Sequence, residues 1–247
     1  MKTLLAMTSA ITGLALTALS GEAATYTGPG VADGTTADGD GIASVVVNND
    51  ANNISFTINS TQAQASYIFY AIEIQTVGQA GSGYTGFANP FGPAVGISSG
   101  ENAVIDTYGT GATPYTYNSG WLAGASVSYA AGGTGDTFAT ITLSQSSLGL
   151  NVGESFYFDV VSSYTSQSDG GPQAAYGALD NTGYLPESDG AYAPYNGLAH
   201  YDSATSAGTT FGSATEYTIQ SVPEPTTLGL FGLGGLFMLR GLARRNS

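Results

Sequence analysis

Cysteine is absent from this 247-residue sequence. Its absence excludes disulfide bonds, thiol catalysis, thiolate metal sites and iron–sulfur clusters. Small exported domains often need disulfides, but a stretch as long as residues 24–221 can bury enough apolar surface to fold without them. The fold therefore has to be stable without disulfide bonds.

Basic residues are nearly absent too. The four that exist lie close to the chain ends: Lys2, Arg240, Arg244 and Arg245. Sixteen of the eighteen acidic residues lie in 24–221, because only Glu22 and Glu224 fall outside that stretch. Nucleic-acid binding is excluded, since phosphate contacts require a positive surface. Divalent cations such as Ca²⁺, which bind carboxylate and carbonyl oxygens, would relieve the repulsion among the acids.

The N-terminus is typical of a secretory signal peptide. One positive charge precedes an apolar run over Leu4–Leu19, and small residues follow it. A cut after Ala23 and a cut after Ser20 both leave small residues at the −3 and −1 positions. We assign residues 1–23 to the signal peptide and 24–221 to the exported domain.

The C-terminus has three parts in fixed order: Val222-Pro223-Glu224-Pro225, an uncharged apolar run over 226–239, and a basic end with Arg240, Arg244 and Arg245. The two prolines end any preceding strand and keep the backbone extended, as a processing enzyme requires. The apolar run, continued to residue 243, predicts a short transmembrane helix. The basic end then lies on the cytoplasmic side. An ordinary tail anchor is the alternative.

This three-part end resembles the PEP-CTERM sorting signal, which consists of a Pro-Glu-Pro motif, a hydrophobic helix and a basic cluster. The resemblance covers residues 222–247. It implies processing by an exosortase, a membrane-embedded cysteine transpeptidase, in addition to signal peptidase. It also implies a Gram-negative host that makes exopolysaccharide, a precursor anchored in the inner membrane, and a mature protein at the cell surface or in the biofilm matrix.

Short alternations of apolar and polar residues, separated by Gly, Asn and Asp, predict β-strands throughout 24–221. The predicted strands are Ser44–Val47, Ile54–Ile58, Tyr67–Thr76, Ala94–Ser98, Ala103–Tyr108, Tyr115–Tyr117, Ala125–Tyr129, Thr137–Leu143, Ser155–Val161 and Thr215–Gln220. Residues 144–149 predict one helical turn. Tyr67–Thr76 is apolar on both faces and then alternates from Ile72, which predicts a central strand that emerges from the core at one edge.

No helical period and no internal repeat interrupt these strands. The pattern predicts an all-β fold, an antiparallel β-sandwich with a jelly-roll-like arrangement, flanked by an N-terminal signal helix and a C-terminal transmembrane helix. The spacing of strands and turns around 137–161 resembles DOMON-like and family-nine-like carbohydrate-binding jelly rolls. That resemblance implies a carbohydrate-binding domain.

Two sets of loop residues are candidate ligand sites. Asp33, Asp38 and Asp40 lie among glycines, so their loop could wrap a hard cation such as Ca²⁺; solvated turn residues are the alternative. Trp121, Tyr84, Tyr184 and Tyr192 are candidates for carbohydrate binding, since aromatic side chains on loops can stack on sugar rings. Tyrosines that pack down over a sandwich are the alternative there.

Catalysis has little support in the sequence. His200 is the only histidine, and no Gly-x-Ser-x-Gly segment marks a nucleophile. We therefore predict a non-enzymatic surface or matrix protein that binds carbohydrate or calcium, with no other cofactor. The alternatives are a secreted glycan-active enzyme and a structural matrix protein without a ligand.

Overall fold

β-Strands and one 3₁₀ helix make up the regular structure in a computed structural model. It describes residues 21–28, 41–63, 68–78, 96–97, 100–108, 111–125, 127–131, 137–164, 174–175, 177–179, 199–200, 208–209 and 215–222. Ser20–Val222 form one compact unit. The remaining residues, Met1–Leu19 and Pro223–Ser247, are assigned to a second unit and lie outside the described part.

The strands in chain order are β1 Ala24–Thr27, β2 Ile42–Asn49, β3 Asn53–Ser60, β4 Ile68–Thr76, β5 Gly96–Ile97, β6 Ala103–Tyr108, β7 Gly111–Tyr117, β8 Trp121–Ala123, β9 Val127–Ala131, β10 Phe138–Ser144, β11 Ser155–Tyr164, β12 Ala174–Ala175, β13 Gly177–Ala178, β14 Ala199–His200, β15 Gly208–Thr209 and β16 Glu216–Thr218. The 3₁₀ helix spans Gln145–Leu148, between β10 and β11.

The main strands form a continuous antiparallel ladder in the order β1-β2-β3-β10-β9-β7-β6-β4-β11-β13. Strand β9 joins its two halves. Its first residues pair with β7, and its last residues, Tyr129–Ala131, pair with β10. Off this path, β16 pairs with β11 and β8 pairs with β7. The ladder thus consists of two antiparallel sheets, one ending at β1 and the other at β11 with β13 and β16.

The hairpin of β2 and β3 shows how the alternating pattern specifies the fold. Every second residue of β3 is buried, so its apolar side chains all point to one side. The turn is held by Asp50, whose carboxylate accepts hydrogen bonds from the backbone N–H groups of Asn52 (2.8 Å) and Asn53 (2.7 Å). Such bonds favour turn formation. The strands predicted at Ser44–Val47 and Ile54–Ile58 are confirmed, and both are longer than predicted, so the loop between them is shorter.

Aromatic rings connect the two sheets through the core. Phe56 of β3 lies 6.2 Å from Phe156 and 5.8 Å from Phe158, both on β11, measured between ring centroids. The ring centroid of Tyr26 of β1 lies 5.0 Å from that of Phe158, in an edge-to-face arrangement. The three phenylalanines are completely buried. Because Phe56 belongs to one sheet and β11 to the other, these contacts pack the sheets face to face.

The all-β, antiparallel prediction is confirmed, and so is the helical turn after Ser144. The jelly-roll-like arrangement stays a prediction. The flanking helices predicted for 1–23 and 222–247 fall almost wholly outside the described residues. Within the described part of the chain, no helix is long and apolar enough to cross a membrane.

One expectation about β4 is wrong. The alternation from Ile72 predicts that the strand emerges from the core at one edge. Instead Glu73 is 0% and Gln75 is 2% exposed, so β4 is buried on both faces to its end. Its neighbours explain why, since β4 lies between β6 and β11 at the centre of its sheet. Polar residues in such a strand are covered rather than solvated.

Candidate functional site

Four carboxyl groups are buried in and beside the central strands. Glu73 of β4, Asp106 of β6 and Asp159 of β11 are 0%, 6% and 1% exposed, and Glu101, just before β6, is 1% exposed. Acidic side chains are almost never fully buried unless they are paired. We call these four residues the carboxyl cluster.

The strand register brings three of these residues to one face of the sheet. Glu73 lies directly opposite Asp159 on β11, and Ala71 lies opposite Asp106 on β6. Directly paired residues project to the same side, as do residues two apart in one strand. Glu73, Asp106 and Asp159 therefore share the face that points away from the phenylalanine core.

Hydrogen bonding leaves much of the cluster unsatisfied. In the described part of the protein, no donor reaches either carboxyl oxygen of Glu73 or Asp106, or Oε2 of Glu101. Asp159 differs, because its Oδ1 accepts a hydrogen bond of 2.7 Å from the backbone N–H of Val160. A buried polar atom without a partner costs about 1–3 kcal/mol, and more when it is charged. Ionised carboxylates are therefore strongly disfavoured at these positions.

Glu73, Glu101 and Asp106 hold their protons to a higher pH than exposed acids do. Burial raises the pKa of Asp106 to about 7. Burial, and then the negative charges of Glu101, Asp159 and Asp106, raise the pKa of Glu73 well above its usual range. Burial and the charge of Asp106 do the same for the pKa of Glu101. No Lys or Arg exists between residues 24 and 221 to reverse these shifts.

The carboxyl cluster, as far as the structure describes it, does not have the geometry of a metal site. Among the described residues, no group of three or more His, Asp or Glu side chains is arranged so that it could hold a metal ion. Burial instead keeps Glu73, Glu101 and Asp106 protonated to a higher pH than exposed acids, because their ionised forms lose the stabilisation that water would give. The cluster thus links the proton concentration to the stability of the fold.

The rest of this face is apolar. Ala71, Val104, Val161 and Ala178 form a small buried cluster, and Trp121 of β8 packs against it. Trp121 is half-buried, and its ring meets the ring of Tyr117 at 5.3 Å in an edge-to-face arrangement. Its neighbour Leu122 is 58% exposed. Trp121 was predicted to lie between strands, but it is the first residue of an edge strand.

Other predicted site residues fall outside the described part of the chain. They are Asp33, Asp38 and Asp40 of the predicted metal loop, Tyr84, Tyr184 and Tyr192 of the predicted carbohydrate site, and Pro223, Glu224, Pro225, Arg240, Arg244 and Arg245 of the sorting motif. Val222 is described and half-buried, and it is the last residue of the compact unit. Only Trp121 of the carbohydrate candidates can therefore be placed.

The carboxyl cluster was missed by sequence reasoning, although a signal for it exists. Glu73 stands between Ile72 and Ile74, and Asp159 stands between Phe158 and Val160. An acid within an apolar run, in a stretch such as 24–221 that contains no Lys or Arg, indicates a buried carboxyl group. Alternation alone cannot reveal this, because it separates the two faces of a strand without showing what covers either.

Comparison with known proteins identifies the end of the chain. Residues 221–245 match the PEP-CTERM protein-sorting motif. No curated protein and no solved structure matches the chain. The match confirms the sorting signal predicted from the sequence and supports an exported precursor that is sorted by an exosortase. The DOMON-like resemblance stays a prediction.

Proposed function

We propose that this protein is a non-enzymatic component of the bacterial cell surface or extracellular matrix. The observation that carries the proposal is the position of the sorting motif. The compact β-domain ends at Val222, and the matched motif begins at residue 221. The signal is thus attached to the end of the fold, where a processing enzyme can remove it while the domain stays folded.

The hydrogen bonds of the domain reach almost to the motif. The N–H of Ile219 donates to the carbonyl of Glu154 (2.9 Å), and the N–H of Gln220 donates to Oδ1 of Asn49 (2.9 Å). Pro223 and Pro225 follow at once and cannot donate backbone hydrogen bonds. The chain thus changes from a hydrogen-bonded segment to one that contains prolines, and this change favours cleavage at or after Pro223.

Replacing both Pro223 and Pro225 with alanine is expected to block processing. The wild-type chain should appear outside the cell in shortened form, whereas the variant should stay full-length in the inner-membrane fraction. Immunoblotting of fractionated cells and intact-mass measurement would report this. Alanine at Thr226 and Thr227 is the matched control and should leave processing unchanged. If the proline variant is shortened and exported like wild type, or if a strain without exosortase processes the chain normally, the sorting proposal fails.

A second part of the proposal is that the domain binds polysaccharide, with Trp121 at the contact. What supports it is a half-buried indole beside the exposed Leu122, on an edge strand. The carbohydrate candidates Tyr84, Tyr184 and Tyr192 and the calcium candidates Asp33, Asp38 and Asp40 belong to the same proposal. We also propose that the domain does not cleave the glycans that it binds, because the carboxyl cluster in the described part of the chain is shielded from solvent.

Trp121 is the only tryptophan, so its fluorescence reports directly on this site. Adding exopolysaccharide is expected to shift the emission. A Trp121→Ala variant, followed by sedimentation with the polysaccharide, should bind at least about tenfold more weakly. Leu122→Ala is the neighbouring control and should bind within about twofold of wild type. Unchanged binding by Trp121→Ala, with and without Ca²⁺, would remove Trp121 from the site. New reducing ends in the mixture would favour the glycan-active enzyme.

A further inference from the structure

Gly21 occupies a slot at the beginning of the described fold. Its backbone N–H donates a hydrogen bond of 2.6 Å to the carbonyl of Asn49, at the end of β2. A Cβ atom at this position would lie 2.9 Å from Cβ of Gln220 and 3.0 Å from Oδ1 of Asn49. Real Cβ atoms do not approach others so closely without a shift, so the slot suits glycine.

Asn49 also holds the other end of the domain. Its side chain is 2% exposed; Nδ2 donates to the carbonyl of Gln220 (2.9 Å), and Oδ1 accepts from the N–H of Gln220 (2.9 Å). The hydroxyl of Tyr217 donates to the same Oδ1 at 2.8 Å. Through its main chain and side chain, one buried asparagine therefore joins Gly21 to the segment that precedes the sorting motif.

We propose that the leader is removed between Ser20 and Gly21, so that Gly21 is the first residue of the mature protein. The peptidase hydrolyses the Ser20–Gly21 bond with one water, leaving a carboxylate on Ser20 and an ammonium group on Gly21. That ammonium keeps the hydrogen bond to the Asn49 carbonyl. Ala18 and Ser20 supply the small residues that such a cut requires at −3 and −1.

The alternative cut, before Ala24, would disrupt this arrangement. It would remove Gly21, leave the Asn49 carbonyl without that donor and empty the slot beside Gln220. It would also remove Glu22 and Ala23, which line an open cleft of about 350 Å³ between β1 and β16. The compact unit begins at Ser20. These features favour the earlier cut over the boundary at residue 23 that the sequence suggested.

The mature protein then contains a single primary amine, the α-amino group of Gly21, which is positively charged below about pH 7.7. Lys2 is the only lysine and leaves with the leader, and the arginines all lie beyond residue 239. After both ends have been processed, the Gly21 ammonium is the only positive group besides His200. When protonated, it places one positive charge beside the hydrogen bonds that join Gly21 to Asn49 and Asn49 to Gln220.

The test compares two leucine variants of the full chain in an exporting host. A bulky residue at −1 blocks signal peptidase. Ser20→Leu is therefore expected to abolish the normal N-terminus, whereas Ala23→Leu, at an exposed position, should leave it intact. Intact-mass measurement of the wild-type and Ala23→Leu proteins should show a chain that begins at Gly21. A wild-type chain that begins at Ala24, together with blockage by Ala23→Leu and normal cutting of Ser20→Leu, would overturn the proposal.

The inference rests on export, and the outcomes separate the two. If the exported protein begins at Ala24, this inference fails while the proposed function stands. If all three proteins keep the leader and stay in the cytoplasm, both fail. A second readout is the reaction of the amine with an N-hydroxysuccinimide ester, expected to be about tenfold slower in the folded than in the urea-unfolded protein, because a hydrogen-bonded ammonium is protected. Equal rates would contradict docking of Gly21.

Discussion

Replacing Asp106 with asparagine is expected to stabilise the domain at pH 8 by up to about 4 kcal/mol, and to leave its stability at pH 4 nearly unchanged. Asparagine has almost the shape of the protonated acid but cannot ionise. The variant should therefore lose most of the pH dependence that Asp106 causes.

The sign of this pH dependence follows from whether the folded or the unfolded state binds the proton of Asp106 more tightly. Burial raises the pKa of Asp106 from 3.8 in the unfolded chain to about 7 in the folded domain. Between these values the folded state binds more protons than the unfolded state, so the free energy of unfolding falls as the pH rises. The contribution is fully present below pH 3.8 and is lost by about pH 7. A difference of about three pH units, at about 1.4 kcal/mol each, gives the stated magnitude.

Urea unfolding of the mature protein at several pH values would measure this effect. Asp50 provides a control of opposite sign. Partial burial acts to raise its pKa, but hydrogen bonds from Asn53 and Asn52 outweigh this and lower the pKa. Asp50→Ala should therefore destabilise at pH 7 and lose its effect in strong acid. Greater stability of wild type at pH 8 than at pH 5, or no gain from Asp106→Asn at pH 8, would refute the proton-holding cluster.

The other cluster members should respond in the same direction but not additively. The pKa values of Glu73 and Glu101 are both raised well above their usual range, and each carboxylate affects the others. Removing one charge therefore lowers the cost of ionising its neighbours. A double variant, Glu73→Gln with Asp106→Asn, is expected to gain less at pH 8 than the two single gains together.

Much of the fold could be predicted because its signals are local. The alternation in 54–58 and 137–143 recurs as the alternating burial of β3 and β10. Ser144 accepts a hydrogen bond from the N–H of Ser147, and Gly149 ends the 3₁₀ helix with a φ of 69°. Residue type and spacing determine such features, so the sequence is enough to place them.

The candidate site depends on contacts between distant segments, which the sequence does not display. Asn49 reads as one of several turn asparagines, yet its side chain binds Gln220, 171 residues away. Glu73 lies in a segment that alternates between apolar and polar residues, and this alternation does not show that its strand lies between two others with both faces covered. The sorting motif, by contrast, could be recognised from the sequence. A processing enzyme must read it as an extended segment, so the order of consecutive residues defines it.

Replacing Phe56 with alanine is expected to lower the free energy of unfolding by about 3–5 kcal/mol. Its ring is fully buried and contacts Phe156 and Phe158 of the opposite sheet. Truncation removes apolar contact and leaves a cavity that rigid neighbouring strands can fill only in part. It also removes two aromatic pairs, each worth about 0.5–1.5 kcal/mol beyond the area that it buries.

Phe138→Ala on the neighbouring strand β10 is the control, since it removes the same atoms from a side chain that is 46% exposed. We expect it to change stability by no more than about 0.5 kcal/mol. Both variants should be measured by urea denaturation at pH 5. The carboxyl cluster favours the folded state there, so even a destabilised variant should start from a folded domain. A loss of less than about 1 kcal/mol for Phe56→Ala would mean that these rings do not join the sheets. The sheets would then be held mainly by the ladder through β9, and their face-to-face packing would have to be abandoned.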